Sequence, residues 1–366
     1  MIRGVDFNGK YLCAAPTGVH RVAHEMITAL ARRNSASEAR VLAPRNIRRQ
    51  PDYGAIPVVN VGVFTWQLWE QISLPWRSRG RLLVSLCNLG PLVRREAVTM
   101  IHDAQVFLTP QSYGFFFRAW YRWALPTIGR RHRQILTVSN YSREQLIAAG
   151  IARRDRVVVI PNGVDHILAN APATAIVGKL GLQPGRFVVA LASLQAHKNI
   201  GLLLRAFAEP QLGGLTLVLV GAADEAAFRA AGHAIPANVR FASKVSDGEL
   251  RALMEQAGCL AFPSTTEGFG LPPLEAMLLG CPAVVAPCGA LPEVCDEAVL
   301  YAAPDDLAAW VGAIRSLCLD PDVRREYSER GRRHASQFTW DRAAAALEAV
   351  IAGQQLRGNE RGRAAT

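Results

Sequence analysis

Short, unbroken apolar runs alternate with amphipathic stretches along the chain, and no other feature restricts the fold as much. The runs RVLAP, RLLVSLC, AVTMIHD, QILTVSN and RVVVIPNG occupy the first half. RFVVALASL, LTLVLVG, VRFAS, GCLAFPS and PAVVA occupy the second. Between them lie helical patterns such as GVHRVAHEMITALARR, SREQLIAAG, NIGLLLRAFAE, DGELRALMEQA and LPPLEAMLLG. Strands that are apolar throughout are buried on both faces, and their alternation with helices makes the sheets parallel. Two such series in 366 residues predict an α/β protein with two doubly wound domains. The break falls in PNGVDHILANAPATA, residues 161–175, where a Pro-Asn-Gly turn leads into small residues. Ligands of such sheets bind beyond the carboxyl ends of the strands, so the cleft between domains is the expected site.

The stretch STTEGFGLPPLEAMLLGCPAVVA, residues 264–286, follows one of those strand ends. Gly268 and Gly270 are expected to take positive φ cheaply. Pro272 and Pro273 suit the first turn of a helix, and Gly280 suits the residue just past its end. The loop then presents backbone amides at a helix N-terminus, which attracts an anion. Glu267 and Glu275 flank that place, and a carboxylate pointing inward would repel the anion. Two acceptors on either side of a phosphate cradle suit a nucleotide sugar, with a ribose diol at one end and a hexose at the other. Carboxylates grip such diols through charge-assisted hydrogen bonds. The plain alternative is that Glu275 is a first-turn glutamate favoured by the helix dipole and Glu267 a surface charge.

The E-x7-E spacing within PSTTEGFGLPPLEAMLLGCPAVVA closely resembles the signature of the retaining glycosyltransferases of family 4. Other segments resemble that family in the same order: TGVHRVAHEMITAL, VTMIHDAQVF, ILTVSNYSREQL, VVVIPNGVD, LASLQAHKNIGLLLRAF, FASKVSDGELRALMEQAGCLAFPS and FTWDRAAAAL. The resemblance implies the GT-B fold, two doubly wound Rossmann-like domains facing across a cleft. It implies an acceptor-binding domain at residues 1–168 and a nucleotide-sugar-binding domain at 169–341. A C-terminal helix of about residues 342–356 is expected to pack back on the first. It also implies transfer of a hexose with retention and no cofactor or required metal. Asp305-Asp306 in APDDLAAW sits where a helix begins and reads as a capping pair rather than a metal site. The cysteines, seven and scattered without C-x-x-C pairs, predict reduced thiols rather than a disulfide framework or zinc site.

Lys198 lies between a strand and a helix start, where the dipole disfavours a cation, so its presence there argues for a bound anion. The alternative is a surface lysine. By resemblance it opposes the departing diphosphate in place of a metal. Many family members carry Gly-Arg shortly before this lysine, and this chain has Ala192-Ser193, so Ser193 offers a hydrogen bond without charge. His102 lies at the carboxyl end of AVTMIHD; the resemblance implies that it contacts the donor sugar and helps position the acceptor, and a neutral imidazole can donate to a hydroxyl or developing oxyanion. A strand-end histidine bonded to backbone is the alternative, and Asp103 beside it orients the loop. Catalysis is thus assigned to His102, Lys198 and Glu267. Donor binding is assigned to Gly18, which the resemblance places across from the diphosphate and which is otherwise a plain turn glycine, and to Ser193, Lys198, Val245, Glu267, Gly268, Phe269, Gly270, Leu271 and Glu275, with Gly268–Leu271 acting through main-chain amides. His20 and His24 share a helix face without a third metal partner, so they read as structural or acceptor-facing. Ser139 and Asn140 are expected in a loop that shapes the acceptor site.

Residues 1–170 hold 23 Lys+Arg against 10 Asp+Glu, so the first half is strongly basic. A basic half suits an anionic partner, or serves solubility alone. FTWQLWEQISLPWRSRGR and FFFRAWYRWALPTIGRRHRQ interleave aromatics with arginines. They read as surfaces for an anionic bilayer, reaching a lipid-linked acceptor, or as helices whose aromatics face the core. No window approaches a membrane span, and the start shows no secretory leader, so the expected location is cytoplasmic, with peripheral contact at the inner membrane face. The favoured function is transfer from GDP-mannose to a glycan or polyprenyl-linked acceptor in polysaccharide biosynthesis. The competitors are a sugar-nucleotide epimerase on the same fold, a phosphorylase, and a basic nucleic-acid-binding protein. A phosphorylase would need a cofactor lysine near the expected C-terminal site, and only Lys198 is expected there. The sequence carries no recognised nucleic-acid motif, so no nucleic-acid partner is expected.

Overall fold

The computed structural model describes residues 4–33 and 38–363. The chain divides into two compact units, Met1–Gly163 with Thr339–Thr366, and Val164–Phe338.

The first unit holds a seven-stranded sheet in the order β3-β2-β1-β4-β5-β6-β7. Its strands are β1 Val5–Asn8, β2 Ala39–Ala43, β3 Val58–Asn60, β4 Leu82–Ser85, β5 Ala97–Met100, β6 Gln134–Thr137 and β7 Val157–Val159. All neighbours run parallel. The central strand β1, VDFN, escapes a hydropathy reading because Asp6 interrupts it. Asp6 is fully buried there, and its carboxylate accepts from Arg40 Nε and Arg81 Nε, both at 2.8 Å. Two guanidiniums offset the desolvation that a lone buried carboxylate would suffer. β3 escaped because only three residues long.

The helix Gly18–Arg32 packs against the last helix, Trp340–Arg363. Arg33 joins them, donating from Nε to Glu348 Oε2 at 3.0 Å and from Nη1 to Asp341 Oδ1 at 2.7 Å. Ser139 caps the helix Asn140–Ala148, its hydroxyl accepting from Ser142 N at 3.0 Å. Ser139 and Asn140 therefore open a helix rather than line a loop, because a serine hydroxyl satisfies an amide that the first turn leaves unpaired.

The helix Phe115–Arg131 buries an aliphatic face of Ala124, Leu125 and Ile128. Phe115, Phe116, Phe117 and Trp123 are exposed, as are Phe64, Trp66 and Trp76 in the other aromatic stretch, where Trp69 is fully buried. Most of these aromatics therefore do not face the core. Among the described residues, no helix is long and apolar enough to cross a membrane.

The second unit holds a six-stranded sheet in the order β10-β9-β8-β11-β12-β13. Its strands are β8 Phe187–Leu191, β9 Thr216–Val220, β10 Val239–Ser243, β11 Cys259–Phe262, β12 Ala283–Val285 and β13 Leu300–Tyr301, again all parallel. β13, two residues long, had no legible signal. In both sheets the first strand lies inside, and the chain winds outward to one side and then to the other. This is the doubly wound α/β plan, with its switch point between β1 and β4 in one unit and between β8 and β11 in the other. Val188, Leu217, Leu219, Phe228, Trp310 and Ile314 anchor the second core. Asp306 caps the helix Leu307–Leu319, accepting from Ala309 N at 2.9 Å.

Candidate active site

β8 and β11 are hydrogen-bonded neighbours, so the loops leaving their carboxyl ends meet. Thr265 N donates to His197 O at 2.7 Å and ties one loop to the other. Lys198 comes from the first loop and Glu267 from the second. Lys198 Nζ donates to Glu267 Oε1 at 2.5 Å and stands 5.5 Å from the centroid of the Phe262 ring. The two side chains are only 24% and 12% exposed. Glu267 is therefore a paired, largely buried carboxylate and not a surface charge. His197, buried beside the pair, has its pKa lowered by desolvation and then by the Lys198 charge.

The helix after Glu267 begins at Leu271, which puts Glu275 in its second turn. The first-turn explanation of Glu275 thus fails, since dipole stabilisation falls off within one turn. Its side chain is 10% exposed, and Oε1 lies 3.0 Å from Nε2 of His166. A carboxylate at that depth needs a partner.

Gly270 precedes the helix at φ +104, and a methyl group there would sit 2.6 Å from Leu291 Cδ2. Positive φ falls on Gly270 and not on Gly268, so one glycine alone makes the turn. No side chain caps this helix. Pro272 and Pro273 lack N–H groups, so the amides its terminus can present are those of Gly270 and Leu271. The Phe269 side chain is buried edge-on against Phe338, with centroids 6.0 Å apart. Gly280 ends the helix at φ +81, donating to Met277 O while Cys281 N donates to Ala276 O, both at 2.9 Å. Those two bonds form a Schellman cap.

The remaining assigned residues lie further along the same edge or in the other unit. Ser193 follows β8, and its hydroxyl accepts from Gln195 N at 3.3 Å. Val245 follows β10, one residue before Ser246, which caps the helix Asp247–Gln256. In the first unit, Gly18 is exposed at the start of its helix, where a methyl group would meet nothing within 4 Å. Packing therefore does not demand glycine there.

His102 lies two residues past the end of β5 and is buried. Its Nε2 stands 2.8 Å from Leu86 O. A carbonyl only accepts, so Nε2 carries the proton and Nδ1 does not. Desolvation pushes the His102 pKa down to about 4, against the raising effect of the bond to Leu86. The expected donation to a hydroxyl or oxyanion is therefore corrected: the neutral ring has spent its one N–H on Leu86, and Nδ1 can only accept. Asp103 orients its loop, accepting from Gln105 N at 3.0 Å.

One polar cluster had no signal in the sequence. At the switch point of the first sheet, Asn8 Nδ2 donates to Glu70 Oε1 at 2.8 Å and to Ser85 Oγ at 3.2 Å. Lys10 Nζ donates to Glu70 Oε2 at 2.7 Å and to Gln67 Oε1 at 2.8 Å. Glu70 is 2% exposed and sits in a π-helical turn, Trp69–Ser73. Its partners come from a distant strand, so no local spacing reveals it. Among the described residues, no group of three or more His, Cys, Asp and Glu side chains could hold a metal ion.

Two family profiles match successive parts of the chain. One, described as Glycosyltransferase Family 4, covers residues 16–167, and the other, Glycosyl transferases group 1, covers residues 175–334. The MMP alpha-(1->4)-mannosyltransferase of Mycolicibacterium hassiacum is 31% identical over 294 residues, 74% of this chain and 67% of that one. The chain belongs to glycosyltransferase family 4. This glycosyltransferase is also 26% identical to the O-antigen chain mannosyltransferase RfbU of Salmonella typhimurium, across 71% of each chain. Its fold matches a sucrose-phosphate synthase from Thermosynechococcus elongatus with a TM-score of 0.75 and 18% identity, over 97% of this chain and 99% of that one. WaaG, a glycosyltransferase of lipopolysaccharide biosynthesis, gives a TM-score of 0.71 at 18% identity, over 95% of this chain and 100% of that one. Both likenesses make the fold GT-B.

Proposed function

We propose that this glycosyltransferase moves a hexose from a nucleoside diphosphate sugar, with GDP-mannose favoured, to a glycan or lipid-linked glycan with retention of configuration, in polysaccharide biosynthesis. The observation that carries the reading is the 2.5 Å contact of Lys198 with Glu267, just ahead of the uncapped helix that bears Glu275. A cation and amides at a helix N-terminus suit a diphosphate, and two anchored carboxylates suit the hydroxyls at either end of it. Mannose is favoured because relatives named as mannosyltransferases match across most of the chain.

In this reading the second unit binds the donor and the first binds the acceptor. Lys198 and the amides of Gly270 and Leu271 stabilise charge on the departing diphosphate, so no metal is required. Glu267 holds hydroxyls of the transferred sugar, Glu275 holds the ribose, and His102 Nδ1 accepts from a sugar hydroxyl. The acceptor oxygen bonds to the anomeric carbon on the face from which the diphosphate leaves. The bond from that carbon to the phosphate oxygen breaks, and the same phosphate oxygen takes the hydroxyl proton.

The first unit is also proposed to rest on an anionic membrane surface at the cytoplasmic face. The exposed aromatics of Phe115–Arg131 support this, together with Arg118 and Arg122, which line a groove with Phe115 and Trp123.

The test is incubation with a panel of nucleotide sugars and candidate acceptors, with and without EDTA, followed by mass analysis and NMR of the new anomeric bond. Release of nucleoside diphosphate and a retained linkage are expected, unaffected by EDTA. An altered free sugar without acceptor would favour an epimerase, and no turnover of any donor would defeat the reading.

A further inference from the structure

We propose that His166 is a positioning residue for the donor: it holds the Glu275 carboxylate in the orientation that meets the ribose. The proposal rests on the assignment of Glu275 to the ribose made above. Glu275 is buried within its helix, as are its neighbours Leu274, Ala276 and Met277. A long carboxylate side chain has several rotamers, and only a fixed one presents its oxygens to a ligand without an entropic cost at binding.

His166 supplies the fixing contact. Its side chain is 2% exposed, and Nε2 stands 3.0 Å from Glu275 Oε1, off the axis of the ring N–H. The backbone that carries it is itself pinned. His166 lies in a single turn, Asp165–Leu168, that packs on the Glu275 helix and on the helix Asp247–Gln256. Arg251 Nη1 donates to Leu168 O and Asn170 O, each at 2.9 Å, and Val164 N donates to Phe338 O at 2.9 Å. A rigid turn thus sets a nearly buried ring against one oxygen of the carboxylate.

The arrangement parallels that of the other glutamate in placing a nitrogen against one carboxylate oxygen. Lys198 nitrogen lies against Oε1 of Glu267, and His166 nitrogen lies against Oε1 of Glu275. In each pair a protein nitrogen lies against one oxygen, by a hydrogen bond from Lys198 and by close packing from His166, which leaves Oε2 to accept from a ligand hydroxyl. His166 then contributes to ribose recognition without touching the ribose, and contributes nothing to phosphate binding.

Calorimetry of the full chain with GDP and with 2′,3′-dideoxy-GDP, and with UDP and its dideoxy analogue, tests this. The wild type is expected to prefer the ribonucleotide by ~tenfold or more, the worth of one buried charge-assisted hydrogen bond. His166→Leu should erase most of that preference by weakening the ribonucleotide alone, and should raise donor KM while kcat holds. His166→Gln, which keeps an amide donor within reach, should restore it. If His166→Leu fails to fold, His166→Asn serves, because its shorter amide cannot reach Glu275. A folded variant that keeps the full ribose preference overturns the role of His166. A wild type without any ribose preference, confirmed by an unchanged Glu275→Gln, overturns the ribose assignment itself and the proposal with it.

Discussion

Gly289 backs directly onto the main chain of Glu267. A methyl group on Gly289 would sit 2.5 Å from the Glu267 amide nitrogen and 2.6 Å from its carbonyl oxygen. Gly289 also has φ +63, and the next residue, Ala290, donates its N–H to Glu267 O at 2.9 Å. The position of one candidate catalytic carboxylate therefore depends on a glycine in a later loop.

Gly289→Ala should displace Glu267 from Lys198. The strained φ and the clash together cost about 1–3 kcal/mol of stability. Turnover should fall by at least about tenfold, since small misplacements of reacting groups are costly. Thermal melting and kcat/KM check both effects, and a variant matching the wild type in both would show that the loop yields freely.

Lys198→Met removes the cation and leaves a 12% exposed carboxylate without its partner. Transfer should drop by about 10²–10³-fold, the usual loss for one group that stabilises a leaving oxyanion. Stability should fall as well, because Glu267 stays buried and charged. Adding Glu267→Gln should recover the stability without recovering transfer. Urea unfolding and initial rates separate the two.

His102 and His132 should make the protein less stable in mild acid. Burial pushes both pKa values down to about 4. His132 Nε2 donates to Pro91 O at 3.1 Å, and Nδ1 accepts from Thr99 Oγ1 at 2.8 Å, so the ring is held neutral. An unfolded histidine titrates near 6.5, so between about pH 6.5 and 4 the unfolded chain binds more protons than the folded one. Their stabilising contribution is complete above about pH 6.5 and is lost as pH falls toward 4. The loss is roughly 1.4 kcal/mol for each pKa unit per residue. Urea unfolding across this range should show a slope that His132→Gln lowers by about one proton; an unaltered slope would contradict a neutral His132.

Vesicles containing phosphatidylglycerol should co-sediment with the protein at low salt and release it at high salt. Arg118→Ala with Arg122→Ala should weaken this binding, and Phe116→Ala with Trp123→Ala should weaken the part that resists salt. Phe116 is 87% exposed, so its removal leaves the core intact. Equal sedimentation with neutral and anionic vesicles would sink the electrostatic half of this prediction.

The sequence by itself determined the two parallel α/β series and the helix that runs from the turn at Gly270 to Gly280. Those features are local: continuous apolar runs, helical periodicity, and Gly and Pro at fixed offsets act through the backbone within a few residues. β1 was hidden because Asp6 looks polar until Arg40 and Arg81 arrive from other segments. Only the tertiary structure decided which side chains meet. The adjacency of β8 and β11 brings Lys198 to Glu267, and the packing of one short turn on a helix brings His166 to Glu275. It also decided that His102 spends its proton on Leu86. Pairings of this kind depend on strand order and burial, which join residues far apart in the chain, so no spacing along the sequence records them.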